Sequence, residues 1–336
     1  MCMKTVPAVY RERFRVCHLG IDPGIQGAVH QFTFEGRAVA LRLPAFDPMP
    51  TEFAETAEIE ADSFWLETNQ PERFIVKMVT VELSAGDVPI PTTAAAYPAI
   101  NMSLYEDADR KRLDTLSDSH YFAARRAIDY WLRVVRWKTL SSDIDLLAAE
   151  TAHVSDGILV NLETGRPFWT PRITRSVEVE PVHVVDRLQW DAIQAELAAG
   201  RTPPVWYDFL FSAEGRLTSG DLNAAILDAA IACEAVIRAL VSRHLSDTAP
   251  EWMRVMLTKI NMSELLNEWP HLGFWDATRQ AELDLAAIQN LTRIRNVLMH
   301  RGADDRIRPG LCRDLCAATR RLILRGEPIL ETRSSS

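Results

Sequence analysis

The 336 residues are 47% apolar, 25% charged and 8% aromatic, which excludes a disordered or collagen-like chain. The net charge is −9, and no run approaches the ~20 apolar residues a membrane helix requires. Cys2, Cys17, Cys233, Cys312 and Cys316 are odd in number and scattered, so they form no disulfide framework and point to a reducing, cytoplasmic setting. Met1–Tyr10 carries a lysine but not the apolar core of a secretory leader. A chain of this length suggests about two domains.

Residues 10–100 read mostly as strands. Ala28–Phe34 and Ala38–Leu43 alternate on either side of Glu35-Gly36-Arg37, which predicts a hairpin with a three-residue loop. Phe74–Leu83 is a further strand, with Phe74, Val76, Met78, Thr80 and Glu82 on one face. Pro89, Pro91 and Pro98 then mark a loop. In Asp118–Trp137 the period changes: Tyr121, Ala124, Ile128, Trp131, Leu132 and Val135 recur at helical spacing. Short strands return at Ile158–Val160 and Val177–Val185, and a short helix at Asp191–Ala198 ends at Gly200. Arg201-Thr202-Pro203-Pro204 is the natural boundary.

Beyond the boundary the pattern is almost wholly helical. Asp221–Leu245 carries an apolar stripe through Leu222, Ile226, Ala229, Ala230, Cys233, Val236, Ile237 and Leu240, with Ser219 or Asp221 as its cap. Shorter helices are predicted at Glu251–Ile260 and Ser263–Trp269. Thr278–His300 is a second long helix, stopped by Gly302, and Pro309–Leu324 is a last one, entered by proline. The fold class is therefore α+β. Residues 1–205 form a mixed domain with antiparallel sheet, and residues 206–330 form an all-α antiparallel bundle.

The charge is uneven. Gly215–Ser336 holds 16 basic and 15 acidic residues, a balance of +1, so the remainder carries −10. Arg293–Arg325 alone has nine arginines against Asp304, Asp305 and Asp314. Such a stretch inside an acidic protein is either a phosphate-binding footprint or a solvated helix face.

The strongest chemical signal lies in Ile294-Arg295-Asn296-Val297-Leu298-Met299-His300-Arg301-Gly302. Asn296 and His300, four apart, share one helical face. An arginine neutralises phosphate bidentately, an imidazole transfers protons near neutral pH, and an amide orients either one. The pattern R-N-V-L-M-H on the penultimate long helix resembles the R-x(4–6)-H motif of the HEPN superfamily. Asn223–Glu234 is similar to the first long helix of HEPN proteins that carry an extra N-terminal domain, such as the ApeA-like group. The resemblance covers about residues 205–325 and leaves the N-terminal domain unassigned.

What the resemblance implies is a dimeric RNA endonuclease that needs no metal or cofactor and serves in stress or antiviral defence, as a toxin does. Two motif helices would face each other across a homodimer. The RNA 2′-OH would attack the adjacent phosphate and leave a 2′,3′-cyclic phosphate. Arg295 would stabilise phosphate charge, His300 would act as general acid or base, Asn296 would support them, and Glu234 would contribute from the facing helix. The N-terminal domain would be a sensor or regulator, triggered by a protein or ligand. A non-catalytic dimerisation module is the alternative.

A second alternative rests on Leu19–Ala28. Its Gly-Ile-Asp-Pro-Gly resembles the first strand and turn of RuvC-like nucleases, where a strand-borne Asp22 would bind Mg²⁺ with help from Glu82, Asp143 or Asp145. The plain alternative is a tight turn at Asp22-Pro23-Gly24. Cys312 and Cys316 lie one helical turn apart without a second ligand pair. His18, His30, His120, His153 and His183 show no metal-binding spacing. Trp131 and Trp137 are expected to pack rather than stack on bases. No Gly-rich phosphate loop is present.

Overall fold

The computed structural model describes residues 3–45, 59–64, 71–96, 100–146, 157–169, 183–245, 250, 255, 259–268, 284–302 and 306–331. The chain divides into two compact units, 1–202 and 203–336. The first carries antiparallel sheet with helices and the second is helical, an α+β protein.

Two long strands organise the first unit: β1 (Met3–Ile21) and β5 (Pro71–Pro91), paired antiparallel. Their inward side chains meet in register, Tyr10 against Leu83, Glu12 against Val81 and Phe14 against Val79. The register then slips between Arg15 and Leu19, where His18 takes φ +57°. Beyond the slip the buried positions change parity on both strands, so Leu19 meets Val76 and Ile21 meets Phe74. A bulge adds residues to one strand and re-aims the side chains beyond it. Phe74–Leu83 therefore does not keep one buried face, as strict alternation would require, but switches between Val76 and Val79.

The strand β5 also runs through Pro89 and Pro91, which the sequence assigns to a loop. Among the described residues these prolines pair with Thr5 and Met3 on one side only, because β3 (Arg37–Arg42) ends its pairing at Leu83. A proline is tolerated where its missing N–H faces an open edge. Pro98 lies outside the described residues.

The hairpin of β2 (Val29–Phe34) and β3 turns on two residues, not three: Arg37 already pairs with Phe34. Glu35 and Gly36 take φ +49° and +74°, the double positive pair of a type I′ turn. The described sheet runs β2-β3-β5-β1-β7-β8, with β7 at Ile158–Asn161 and β8 at Arg166–Trp169. Off this path, β4 (Ile59–Phe64) pairs with β5, and β6 (Asp145–Leu146) pairs with β1. The strand β9 (His183–Val185) lies parallel to β1, while residues 177–182 of the predicted strand fall outside the described set.

The short helix α1 (Thr92–Ala96) precedes α2, which spans Asp107–Thr139 and so starts eleven residues ahead of the predicted Asp118. Its buried stripe includes Leu113, His120, Ala124, Ile128, Trp131 and Val135. Helix α3 (Arg187–Ala198) starts at a capping box in which Asp186 accepts from Gln189 N and the Gln189 side chain accepts from Asp186 N. Trp131, His30 and Trp190 join α2, β2 and α3. The His30 ring stacks on Trp190 with centroids 3.5 Å apart, accepts from Trp131 Nε1 at 2.8 Å and lies 3.0 Å from Trp190 O through Nε2. Packing, not base stacking, is the role of Trp131.

The second unit holds α4 (Val205–Ser219), α5 (Leu222–Leu245), α6 (Met262–Glu268), α7 (Leu285–Arg301) and α8 (Pro309–Glu331). Helix α4 has no counterpart among the elements expected from the sequence. Its buried Tyr207, Leu210, Phe211 and Ala213 pack it onto its neighbours. Helix α5 is the hub, touching α4, α7 and α8. The Asp221 side chain caps α5 by accepting from Ala224 N at 3.3 Å. Gly326 on α8 sits against Leu240, where a Cβ would come within 2.9 Å of Cδ1. Helix α8 thus continues past the predicted end at Leu324. Of the predicted helix Glu251–Ile260, most residues lie outside the described set, as do Trp269 and residues 278–283. No helix among the described residues is long and apolar enough to cross a membrane.

Candidate functional site

Helix α7 is held at both ends. Asp284 accepts from Ala287 N at 3.0 Å, and Gly302, at φ +74°, returns its N–H to Leu298 O at 2.8 Å. Ile288, Leu291, Ile294 and Leu298 bury one stripe. That burial turns Thr292, Arg295 and Asn296 toward a cleft of roughly 200 Å³. The opposite wall comes from α5, through Ala230, Glu234 and Arg238 at successive turns, and Asn261, Met262 and Ser263 close one end.

Three of the four residues singled out by the sequence therefore share one cleft. Arg295 Nη1 donates to Asn296 Oδ1 at 3.1 Å. Asn296 accordingly holds the guanidinium, and not the imidazole, and keeps its side-chain N–H group as a donor. Glu234 is present from the facing helix, but as an ion-pair partner: its Oε1 accepts from Arg238 at 2.8–2.9 Å. His300 does not line the cleft. It is exposed on the last turn of α7, about 6 Å beyond Asn296 at 1.5 Å rise per residue, and its imidazole makes no hydrogen bond among the described residues. Met299 beside it is 63% exposed.

Sequence reasoning missed Arg238. Its signal was available, since Glu234 and Arg238 are four apart on one helix. Its guanidinium also donates to Ile260 O at 3.1 Å, a contact no local pattern announces. The basic stretch Arg293–Arg325 is partly paired with acids outside it. Arg320 meets Glu214 at 2.9 Å and Arg321 meets Asp284 at 3.9 Å, while Arg301 stays exposed.

The carboxylates offered for a metal site do not converge. Asp22 follows β1 directly and caps a short turn, accepting from Gly24 N at 2.7 Å, as the plain turn reading requires. Glu82 pairs with Arg11 at 2.7 Å and lies eight residues along β5 from Phe74, the partner of Ile21. At about 3.3 Å per residue that is roughly 26 Å from Asp22. Asp145 pairs with Cys17, five residues before Asp22, and the Ser142 hydroxyl donates to Asp143 Oδ1. Among the described residues no group of three or more His, Cys, Asp or Glu side chains is placed to hold a metal.

Cys233, Cys312 and Cys316 are buried thiols, whereas Cys17 is only half-buried and Cys2 lies outside the described residues. Burial, reinforced by Glu234, pushes the Cys233 thiol up to about 12, and burial with Glu214 does the same for Cys316. Burial also raises Cys312. His120 is buried, 2.7 Å from Leu116 O through Nδ1, and His153 lies outside the described residues.

Compared with known proteins, the chain matches no protein-family model, no curated protein and no solved structure.

Proposed function

We propose that the chain is a metal-independent RNA endonuclease of the HEPN type, active as a homodimer through its helical unit. The observation that carries this reading is the cleft itself. Glu234, from a helix sixty residues upstream, lines the same cavity as Arg295 and Asn296, and His300 follows one turn later on α7.

The chemistry follows from these groups. Arg295 faces a non-bridging phosphate oxygen and offsets the charge of the pentacoordinate transition state. The 2′-oxygen attacks phosphorus, the P–O5′ bond breaks, and the products are a 2′,3′-cyclic phosphate and a 5′-hydroxyl. One imidazole removes the 2′ proton and another protonates the leaving 5′ oxygen. A single His300 at the exposed end of α7 supplies one of these roles. The second comes from the partner protomer, which is why the reading includes a dimer. The N-terminal unit is then the regulator, responding to a protein or ligand trigger in a cytoplasmic defence role, and that part rests on analogy alone.

A non-catalytic dimerisation module is the second reading. It is favoured by the same exposure of His300 and Met299, which suits an interface as well as a reacting edge. Cleavage of a fluorescent RNA by the full chain separates the two. Arg295→Ala and His300→Ala are each expected to lose about 10²-fold or more in rate, with Asn296→Ala losing less. Equal behaviour of all the variants and the wild type, with the dimer intact, assigns the module.

A further inference from the structure

Arg238 lies outside the Arg295–His300 motif, yet it lines the same cleft. Its Nε and Nη2 reach Glu234 Oε1 at 2.9 and 2.8 Å, and Nη2 also reaches Ile260 O at 3.1 Å. These contacts fix a long side chain before any ligand arrives, which lowers the entropy cost of binding. Arg295 is fixed in its turn by Asn296 Oδ1, and among the described residues its guanidinium meets no other acceptor. Among the described lining residues, two guanidiniums stand against one carboxylate, a net positive balance. Like charges in a half-buried cleft cost free energy that an entering anion removes.

The remaining polar lining, Asn261, Ser263, Thr292 and Asn296, is uncharged. At roughly 200 Å³ the cleft is smaller than the ~300–1,000 Å³ of drug-sized pockets, and it suits a single phosphodiester group. We infer that Arg238 is a second phosphate-binding residue, which clamps one RNA backbone phosphate together with Arg295, beside the bond presented to His300. Glu234 is a positioning residue that aims Arg238, not an acid or base. The identity of the ligand as RNA rests on the ribonuclease reading; the anion clamp does not.

The test uses the full chain and two probes. A 2′-O-methyl oligoribonucleotide, which lacks the attacking hydroxyl, is titrated by fluorescence anisotropy over a range of KCl. Inorganic phosphate is titrated against the arginine Nε–Hε signals by NMR. Arg238→Gln is expected to weaken oligonucleotide binding about tenfold or more and to lower the slope of log K against log salt by about 0.7. Arg238→Lys is expected to keep the slope with intermediate affinity. Glu234→Gln is expected to abolish the response of the Arg238 signal to phosphate. Wild-type affinity and slope in a folded Arg238→Gln protein overturn the assignment, even where RNA is still cut and the ribonuclease reading stands. A phosphate response at Arg238 and Arg295 without oligonucleotide binding supports the clamp but overturns RNA as its ligand. Should Arg238→Gln fail to fold, the absence of a phosphate response at Arg238 in the wild type overturns the clamp.

Discussion

His30 shows how far one side chain's chemistry depends on residues distant in sequence. In the sequence it lies on the predicted strand Ala28–Phe34 and shows no metal-binding spacing. In the fold it lies between Trp131 and Trp190, 101 and 160 residues away, and burial pulls its pKa down to about 4. The neutral ring donates through Nε2 to Trp190 O and accepts at Nδ1 from Trp131. The unfolded chain, with a histidine near 6.5, binds the extra proton first as pH falls. This contribution to stability is therefore complete above pH 6.5 and is lost between about 6.5 and 4, on the order of 3 kcal/mol in all. Urea unfolding at pH 7 and pH 4.5 checks it: His30→Asn, which keeps an acceptor for Trp131, is expected to be less stable at pH 7 and to lose less on acidification. Gly157 is a second such position. A Cβ there would fall on Tyr10 Oη and, at 2.5 Å, on Glu12 Oε2. Both side chains are buried and joined by a 2.5 Å hydrogen bond, so Gly157→Ala is expected to cost about 1–3 kcal/mol in denaturant unfolding.

Helices and strands were legible where one period ran unbroken. The stripe of α5 and the glycine stop of α7 could be read directly, because Ile226, Cys233 and Ile237, or Gly302 after His300, carry their meaning locally. Helix α4 was not legible, because the apolar residues of Val205–Phe211, broken only by Asp208, fall on all sides and show no stripe, and they follow two prolines. The parity change along β1 and β5 was not readable either. Phe74, Val76, Val79, Val81 and Leu83 are apolar at odd and even positions alike, and only the slip near His18 decides which of them face the core. Gly302 provides a test that isolates backbone geometry. A Cβ there would meet nothing within 4 Å, yet φ is +74°. Gly302→Ala is therefore expected to destabilise the helical unit by about 1 kcal/mol through the left-handed conformation alone, measured by thermal unfolding. Because His300 sits two residues before this cap, the ribonuclease proposal expects the same variant to lower RNA cleavage more than stability alone explains.

The chain joins an acidic α+β unit to a helical unit of nearly balanced charge, and their boundary falls within Arg201–Pro204. That division could be read from the change of period and the two prolines. The pairing of two guanidiniums in one cleft could not, since it depends on α5 and α7 packing together. On the ribonuclease proposal, a composite site would make activity a property of two copies. Specific cleavage rate is expected to rise with protein concentration and level off once dimers dominate, with sedimentation giving the same midpoint. A flat rate from a protein that sediments as a monomer removes the partner's imidazole from the reaction. The most direct measurement of the central claim is end-group analysis of RNA cut by the full chain in EDTA, beside Arg295→Ala and His300→Ala. The ribonuclease account predicts 2′,3′-cyclic phosphate and 5′-hydroxyl ends from the wild type alone. Cleavage that stops in EDTA, leaves 5′-phosphate ends or survives both substitutions would contradict it.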